Sequence, residues 1–178
     1  MRVDDVARFN QATIRVELVE HLAPMNSLLK RLRQWRALQP WERHMLVHLF
    51  FLLPATWVAL RVRGFNKARS MAELPPLSPK RPELPAMAFA QRCAELTAIA
   101  ARNGLYRANC LHQSLALSRV LQRHGLPARL KIGVLPHARP FQAHAWVELD
   151  GIPLGQQSVA DYAAFDRLTT APDDVRFI

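Results

Sequence analysis

The hydrophobic pattern of this chain changes period once, after Gly125. Before that glycine, apolar residues recur at helical spacing in two stretches, and after it they alternate with polar residues as in half-buried strands. The helical stretches are 86–102 and 111–121, and the alternating stretches are 128–134 and 143–149. Asp150-Gly151 follows the last stretch and is a strong hairpin signal. The sequence therefore predicts an α+β fold, with helices packed on an antiparallel sheet.

The N-terminal part is helical in pattern, basic and very apolar. Residues 28–36 place leucines and Trp35 at helical spacing with lysine and arginine between them, as in a basic amphipathic helix. Residues 45–60 are almost entirely apolar, have arginines on both sides and contain Pro54. Because a membrane span needs about 20 apolar residues, this shorter run predicts a buried or membrane-dipping helix. We expect Pro54 to kink that helix or to divide it.

A proline-rich segment at residues 74–85 cannot hold a regular helix and predicts an extended linker. It separates a basic and hydrophobic helical region, residues 1–73, from a C-terminal domain, residues 86–178. The chain has 178 residues, half of them hydrophobic, which is enough for one domain with a real core.

Lysine and arginine number 24 against 14 acidic residues, so the formal net charge is +10, and most of the excess lies before Lys80. Such a charge suits nucleic acid or a membrane. The sequence has no nucleic-acid-binding motif, so nucleic acid is not expected as a partner. The basic flanks of residues 45–60 suit phospholipid headgroups or an acidic partner. Since the N-terminus lacks a secretory signal pattern, we expect a cytoplasmic protein, with peripheral contact to the inner face of the membrane left open.

Two cysteines differ in their surroundings. Cys110 falls at the start of the second predicted helix, where unpaired backbone amides and the helix dipole favour an anion such as a thiolate. Cys93 lies mid-helix among alanines, where packing explains it. A cysteine nucleophile needs a histidine in reach as base, and His144, on the second predicted strand between two alanines, is the candidate. Taken alone, both residues are also explained by ordinary packing.

A longer stretch carries a family resemblance. Cys110-Leu-His-Gln-Ser-Leu-Ala-Leu117, His124-Gly-Leu-Pro-Ala-Arg-Leu130 and Pro140-Phe-Gln-Ala-His-Ala-Trp-Val-Glu148 together resemble the lasso-peptide B-proteins. These are transglutaminase-like cysteine proteases that remove the leader from a lasso precursor. The resemblance implies a papain/transglutaminase-like core over residues 86–178. By motif position, it implies that Cys110 is the nucleophile and His144 the general base.

The third member of the catalytic triad is where this sequence departs from the family. An aspartate is usual on the strand after the hairpin, whereas here the aligned position is Gln156. A two-residue turn would pair His144 with Gln157, and an odd-length turn or a bulge would pair it with Gln156. Either amide could orient the imidazole, and Asp161 could fold back towards it. We therefore interpret Gln156 as the third member of the triad, with Gln157 and Asp161 as alternatives.

Two further side chains are candidates near the nucleophile. Gln113, one turn after Cys110, is a candidate oxyanion donor, although a solvent-exposed helix residue is the interpretation that its position favours. Trp146 shares a strand face with His144, where it would shelter the imidazole or line the substrate groove. Core packing also explains a tryptophan on a strand. No Gly-rich phosphate loop or metal-ligand spacing occurs, so no cofactor and no metal is predicted.

The resemblance also implies partners. These are a precursor peptide, an asparagine-synthetase-like lasso cyclase that closes the ring with ATP, and a leader-recognition protein. About 40 residues precede the hydrophobic helix, which is short for the leader-recognition domain that some members carry, so a separate recognition protein is expected. The alternative interpretation keeps the fold but makes the chain a non-catalytic scaffold or peptide-binding module of the same pathway, as the missing aspartate would permit.

Overall fold

The structure is a computed structural model that describes residues 33–104, 106–135, 142–155, 159 and 161–164. The chain divides into two units, Met1–Arg43 and His44–Ile178. Residues 33–37 are helical. The elements that follow are α1 (Pro40–Glu73), α2 (Ala86–Asn103), α3 (Cys110–Arg123), β1 (Arg129–Val134), β2 (Ala143–Leu149), β3 (Ile152–Pro153) and β4 (Ala163–Ala164). The predicted α+β fold is confirmed, and the division of the chain at the proline-rich segment stays a prediction.

Helix α1 contains the apolar run, and its interruption is not at the predicted place. Pro54 lies inside continuous helix, whereas the backbone leaves helical geometry at Gly64, with φ 74° and ψ 170°. The expectation that Pro54 divides the helix is therefore wrong. A glycine adopts positive φ without the steric cost that a side chain carries, so the chain breaks there instead. By length and composition α1 could cross a membrane, although a single helix of this kind is weak evidence of a membrane span. In its most apolar stretch 22% of the residues are buried.

Helices α2 and α3 begin and end close to the predicted positions. The Asn109 side chain caps α3 by accepting a hydrogen bond from the His112 amide at 3.1 Å. Gly125 follows α3 with φ +73°, where a glycine ends the helix at little cost. The largest fully buried side chains of the two helices include Phe89, Leu96, Leu115 and Leu121. The apolar spacing read from the sequence is therefore the face that forms the core.

The four strands form one antiparallel sheet in the order β3-β2-β1-β4. Strands β2 and β3 pair Leu149 with Ile152, so Asp150 and Gly151 form a two-residue turn, both with positive φ. This register is the two-residue alternative of the sequence prediction. The ladder ends soon afterwards, because Gly155 turns away at φ +94° and its amide donates to the Gln91 side chain of α2 at 3.0 Å.

Candidate active site

Cys110 is the first residue of α3 and is half-buried, with the Asn109 cap immediately before it. The backbone amides of the first helical turn have no partner within the helix and carry the positive end of its dipole. Cys110 therefore lies where an anionic sulfur, and an oxyanion formed beside it, meet amide donors. The start of the helix is where the sequence predicted it.

One hydrogen bond joins the first turns of α3 to the strand that carries His144. The buried Ser114 hydroxyl, one turn after Cys110, donates to the carbonyl oxygen of Ala145 at 2.9 Å. Ala145 directly follows His144 on β2. Strand β3 pairs only with the C-terminal end of β2. The edge of β2 at Ala145 is therefore open to α3. The fold thus brings the helix that begins with Cys110 and the strand that carries His144 together.

A cavity of about 170 Å³ lies beside Cys110. Helix α2, the first turns of α3, the middle of β2 and the segment after β3 all contribute to its wall. Its lining includes Thr97, Ala98, Cys110, Gln113, Trp146 and Gly155. The volume is several times that of a water molecule, so the cavity is large enough to hold part of a peptide. Cys110 and Trp146 therefore line the same space, and the role of Trp146 as the wall of a substrate groove stays a prediction.

His144 lies in a cluster of three aromatic rings. Its imidazole is nearly parallel to the Trp146 indole, at 14° and with 6.2 Å between ring centroids, and lies 5.2 Å from the Tyr162 ring. The Trp146 and Tyr162 rings are 6.4 Å apart. The indole N–H donates to the Glu148 carboxylate at 2.8 Å, which fixes the plane of the indole. The rings of Trp146 and Tyr162 therefore restrict how the His144 imidazole turns, and the Glu148 carboxylate holds the first of these rings in place.

Gly133 makes room for this cluster. It pairs with His144 on one side and with Ala164 on the other, in the middle of the sheet. A Cβ atom at Gly133 would lie 2.8 Å from the Ala163 carbonyl oxygen and 2.9 Å from Cη2 of Trp146. Only a glycine allows both neighbours to approach that closely. The position of Trp146 over β1 therefore depends on the absence of a side chain there.

The other predicted site residues have different outcomes. Gln113 is half-buried on the cavity wall, and its amide donates to the Ala108 carbonyl oxygen at 2.7 Å, so the exposed alternative is wrong and its role as an oxyanion donor stays a prediction. Gln156 and Gln157 lie outside the described residues. Asp161 is exposed, and the contact with His144 from its segment comes from Tyr162.

Sequence analysis did not find Tyr162 or His112. Tyr162 precedes the two-residue strand β4, which has no alternating pattern that would have placed it beside His144. His112 packs edge-to-face on Tyr106, with 5.7 Å between centroids, and burial lowers the pKa of its imidazole. The Tyr106 hydroxyl in turn donates to the Leu53 carbonyl oxygen of α1 at 2.9 Å. His112 therefore helps to hold the loop before α3 against α1.

Cys93 differs from Cys110 in its burial and in its position along the helix. It is fully buried in the middle of α2. Burial raises the pKa of its thiol to about 12, because the apolar surroundings disfavour the charged form. The prediction that Cys93 is a core residue is confirmed. Within the described ranges, no group of three or more histidine, cysteine or acidic side chains could hold a metal ion.

A helix that begins with a cysteine and is tied to an antiparallel strand carrying a histidine is the arrangement of papain-like and transglutaminase-like proteins. The family model of the transglutaminase-like superfamily matches residues 51–170, and the chain belongs to this superfamily.

A shorter match agrees with the predicted resemblance to the lasso-peptide processing proteins. The chain is 40% identical over 47 residues to the microcin J25-processing protein McjB of Escherichia coli. That stretch is 26% of this chain and 22% of the relative, so the match spans about a fifth of the relative's length. The comparison with solved structures found no match.

Proposed function

We propose that this protein is a cysteine peptidase that cleaves a ribosomally made lasso-peptide precursor between leader and core. The observation that carries the proposal is the hydrogen bond from Ser114 to Ala145, which joins the helix of Cys110 to the strand of His144. The superfamily match and the partial likeness to a microcin-processing protein support it.

In this mechanism Cys110 is the nucleophile. His144 accepts the thiol proton while the sulfur attacks the carbonyl carbon at the leader–core junction. The resulting oxyanion is stabilised by backbone amides at the start of α3. When the tetrahedral intermediate collapses, His144 gives the proton to the leaving amine of the core peptide. Water, activated by the same imidazole, then hydrolyses the thioester and releases the leader with a free carboxylate.

The orienting group for His144 in this proposal is Gln156 by motif position, or Gln157 by the two-residue turn that the structure shows, with Asp161 as a further alternative. An amide oxygen can accept a hydrogen bond from the imidazole N–H, but it supplies no negative charge to stabilise the imidazolium. The aromatic contacts of Trp146 and Tyr162 restrict the same ring, which reduces what the orienting group must do. We therefore expect a slower enzyme than one with an aspartate at this position.

The proposal assigns partners as well. A separate leader-recognition protein delivers the precursor, and an asparagine-synthetase-like cyclase consumes the released core with ATP. The test incubates a lasso-peptide precursor with the protein, with and without the recognition protein, and follows products by intact mass. We expect a single cut at the leader–core junction that depends on the recognition protein. Rapid specific cleavage by this chain alone would contradict the partner assignment.

A second reading, a non-catalytic peptide-binding module, is favoured by one observation: the segment after the hairpin, residues 153–157, contains no acidic residue. The rate of Cys110 alkylation by iodoacetamide distinguishes the two hypotheses without a precursor. A peptidase thiolate is alkylated fast, and His144→Ala slows that reaction. A binding module would show the same Cys110 alkylation rate in both proteins.

A further inference from the structure

The first part of α1 exposes an apolar face that no described element covers. Val47, Phe51, Val58 and Val62 are 48%, 67%, 48% and 75% exposed. Their spacing of four, seven and four residues places them on one side of a helix. At 1.5 Å per residue this stripe is about 22 Å long. Isolated exposed apolar residues are ordinary, but a continuous stripe of this length marks a contact surface.

The opposite side of the same helix is buried. Met45, Leu49 and Leu53 are at most 8% exposed, and their spacing of four residues places them on the face opposite the stripe. The Leu53 carbonyl oxygen also accepts the Tyr106 hydroxyl. Because one side is occupied by protein, lipid cannot surround this helix, and the break at Gly64 ends it soon after the stripe. The helix is thus suited to lie on a membrane rather than to cross it.

The charges next to the stripe are all of one sign. Between Arg43 and Glu73 the sequence contains no aspartate or glutamate. Arg61, Arg63 and Lys67 are exposed at the C-terminal end of the stripe. An apolar face with a basic end complements an anionic bilayer, where the apolar side chains enter the interface and the cations meet phosphate groups. An acidic protein groove would complement the charge, but 22 Å of exposed aliphatic and aromatic surface favours lipid.

We propose that this face of α1, defined by Val47, Phe51, Val58 and Val62, docks the protein on the surface of an anionic phospholipid bilayer, with Arg61 and Arg63 at the C-terminal end of the stripe meeting the phosphate groups. The interaction is peripheral and electrostatic in part, so salt weakens it. It is independent of the peptidase proposal, because none of these residues lines the cavity beside Cys110.

The test measures co-sedimentation of the full chain with vesicles of phosphatidylcholine alone and of phosphatidylcholine mixed with phosphatidylglycerol. We expect binding to the mixed vesicles only, and release by high salt. The double variant Phe51→Glu/Val58→Glu should weaken binding about tenfold or more, because two apolar side chains are lost and two negative charges are added. Arg61→Gln/Arg63→Gln should weaken binding to mixed vesicles and reduce its salt dependence.

The matched control is Ile152→Glu. Ile152 is 50% exposed on the hairpin, so the change removes a similar side chain at a place outside the stripe, and binding should stay as in the wild type. Equal vesicle binding by wild type and Phe51→Glu/Val58→Glu would overturn the proposal. So would self-association of the wild type in light scattering, abolished by that double variant, with no vesicle binding. Retention on membranes after alkaline carbonate extraction would overturn it in favour of a spanning helix.

Discussion

The middle of α2 and the start of α3 each contain a cysteine, and the two positions give the same atom opposite properties. At Cys93 the sulfur is fully buried, and burial raises the pKa of the thiol to about 12. Cys110 is half-buried on the wall of a cavity, at a helix start where the first backbone amides have no partner within the helix. In the sequence both cysteines lie on predicted helices, Cys93 in the middle of one and Cys110 at the start of the other. Since both residues are cysteines, their positions along the helices decide which thiol can react.

The largest expected effect concerns His144, the proposed general base. His144→Ala should lower the turnover of precursor by about 10²- to 10⁴-fold, because the proton of Cys110 then has no acceptor. The alkylation rate of Cys110 by iodoacetamide should fall as well. The matched control is His44→Ala, which removes an exposed histidine of α1 and should leave both rates unchanged. An equal loss in the two variants would mean that His144 is not the base.

Gly133 tests whether the aromatic cluster supports the site. Gly133→Ala forces a Cβ against the Ala163 carbonyl oxygen and the Trp146 indole, and we expect a loss of about 1–3 kcal/mol in the free energy of unfolding. Chemical denaturation measures it. In a Trp146→Phe background part of the clash is absent, so the same change should cost less. An equal cost in both backgrounds would mean that the indole does not lie over β1.

The link between α3 and β2 is tested with two serines of the same helix. Ser114→Ala removes the donor to the Ala145 carbonyl oxygen and should cost about 1–3 kcal/mol, since that buried oxygen loses its partner. Ser118 is fully buried, and its hydroxyl has no hydrogen-bond partner among the described residues. Ser118→Ala should therefore be neutral or slightly stabilising. Thermal unfolding compares the two, and the reverse order would contradict the assigned contact.

The smallest expected effect is the difference in thiol accessibility between Cys93 and Cys110, which thiol titration measures. At about pH 8, one thiol of the native protein should react with Ellman's reagent and two after unfolding, because the Cys93 thiol is buried and neutral. The pKa of that thiol is raised in the folded state. Its contribution to stability is therefore complete below its ordinary pKa of 9.0 and is lost as pH rises towards about 12. Cys93→Ala should reduce this alkaline loss of stability.

Much of the site was predictable because local rules determine it. The polar cap of Asn109 fixes where α3 begins, and so places Cys110 in its first turn. The Asp150-Gly151 turn fixes the register of β2 and β3, and alternation along β2 places His144 and Trp146 on one face. Each of these depends on neighbours within a few residues, which a sequence displays directly.

The rest depends on contacts between distant segments. Tyr162 reaches His144 only because β4 pairs with β1, and two alanines give no sign of that pairing. Gly133 reads as an ordinary strand glycine until the Trp146 indole lies over it. In α1 the sequence suggested a break at Pro54, yet the chain breaks at Gly64. Proline restricts one backbone angle that a helix already uses, whereas glycine opens conformations that packing then selects.

The central claim is that Cys110, and not Cys93, is the nucleophile of a leader peptidase. The most direct measurement compares precursor cleavage by the wild type, Cys110→Ala and Cys93→Ala, each with the recognition protein, by intact mass over time. The account predicts that Cys93→Ala cleaves at the wild-type rate and that Cys110→Ala, although folded, yields no core peptide. Undiminished cleavage by Cys110→Ala would contradict it.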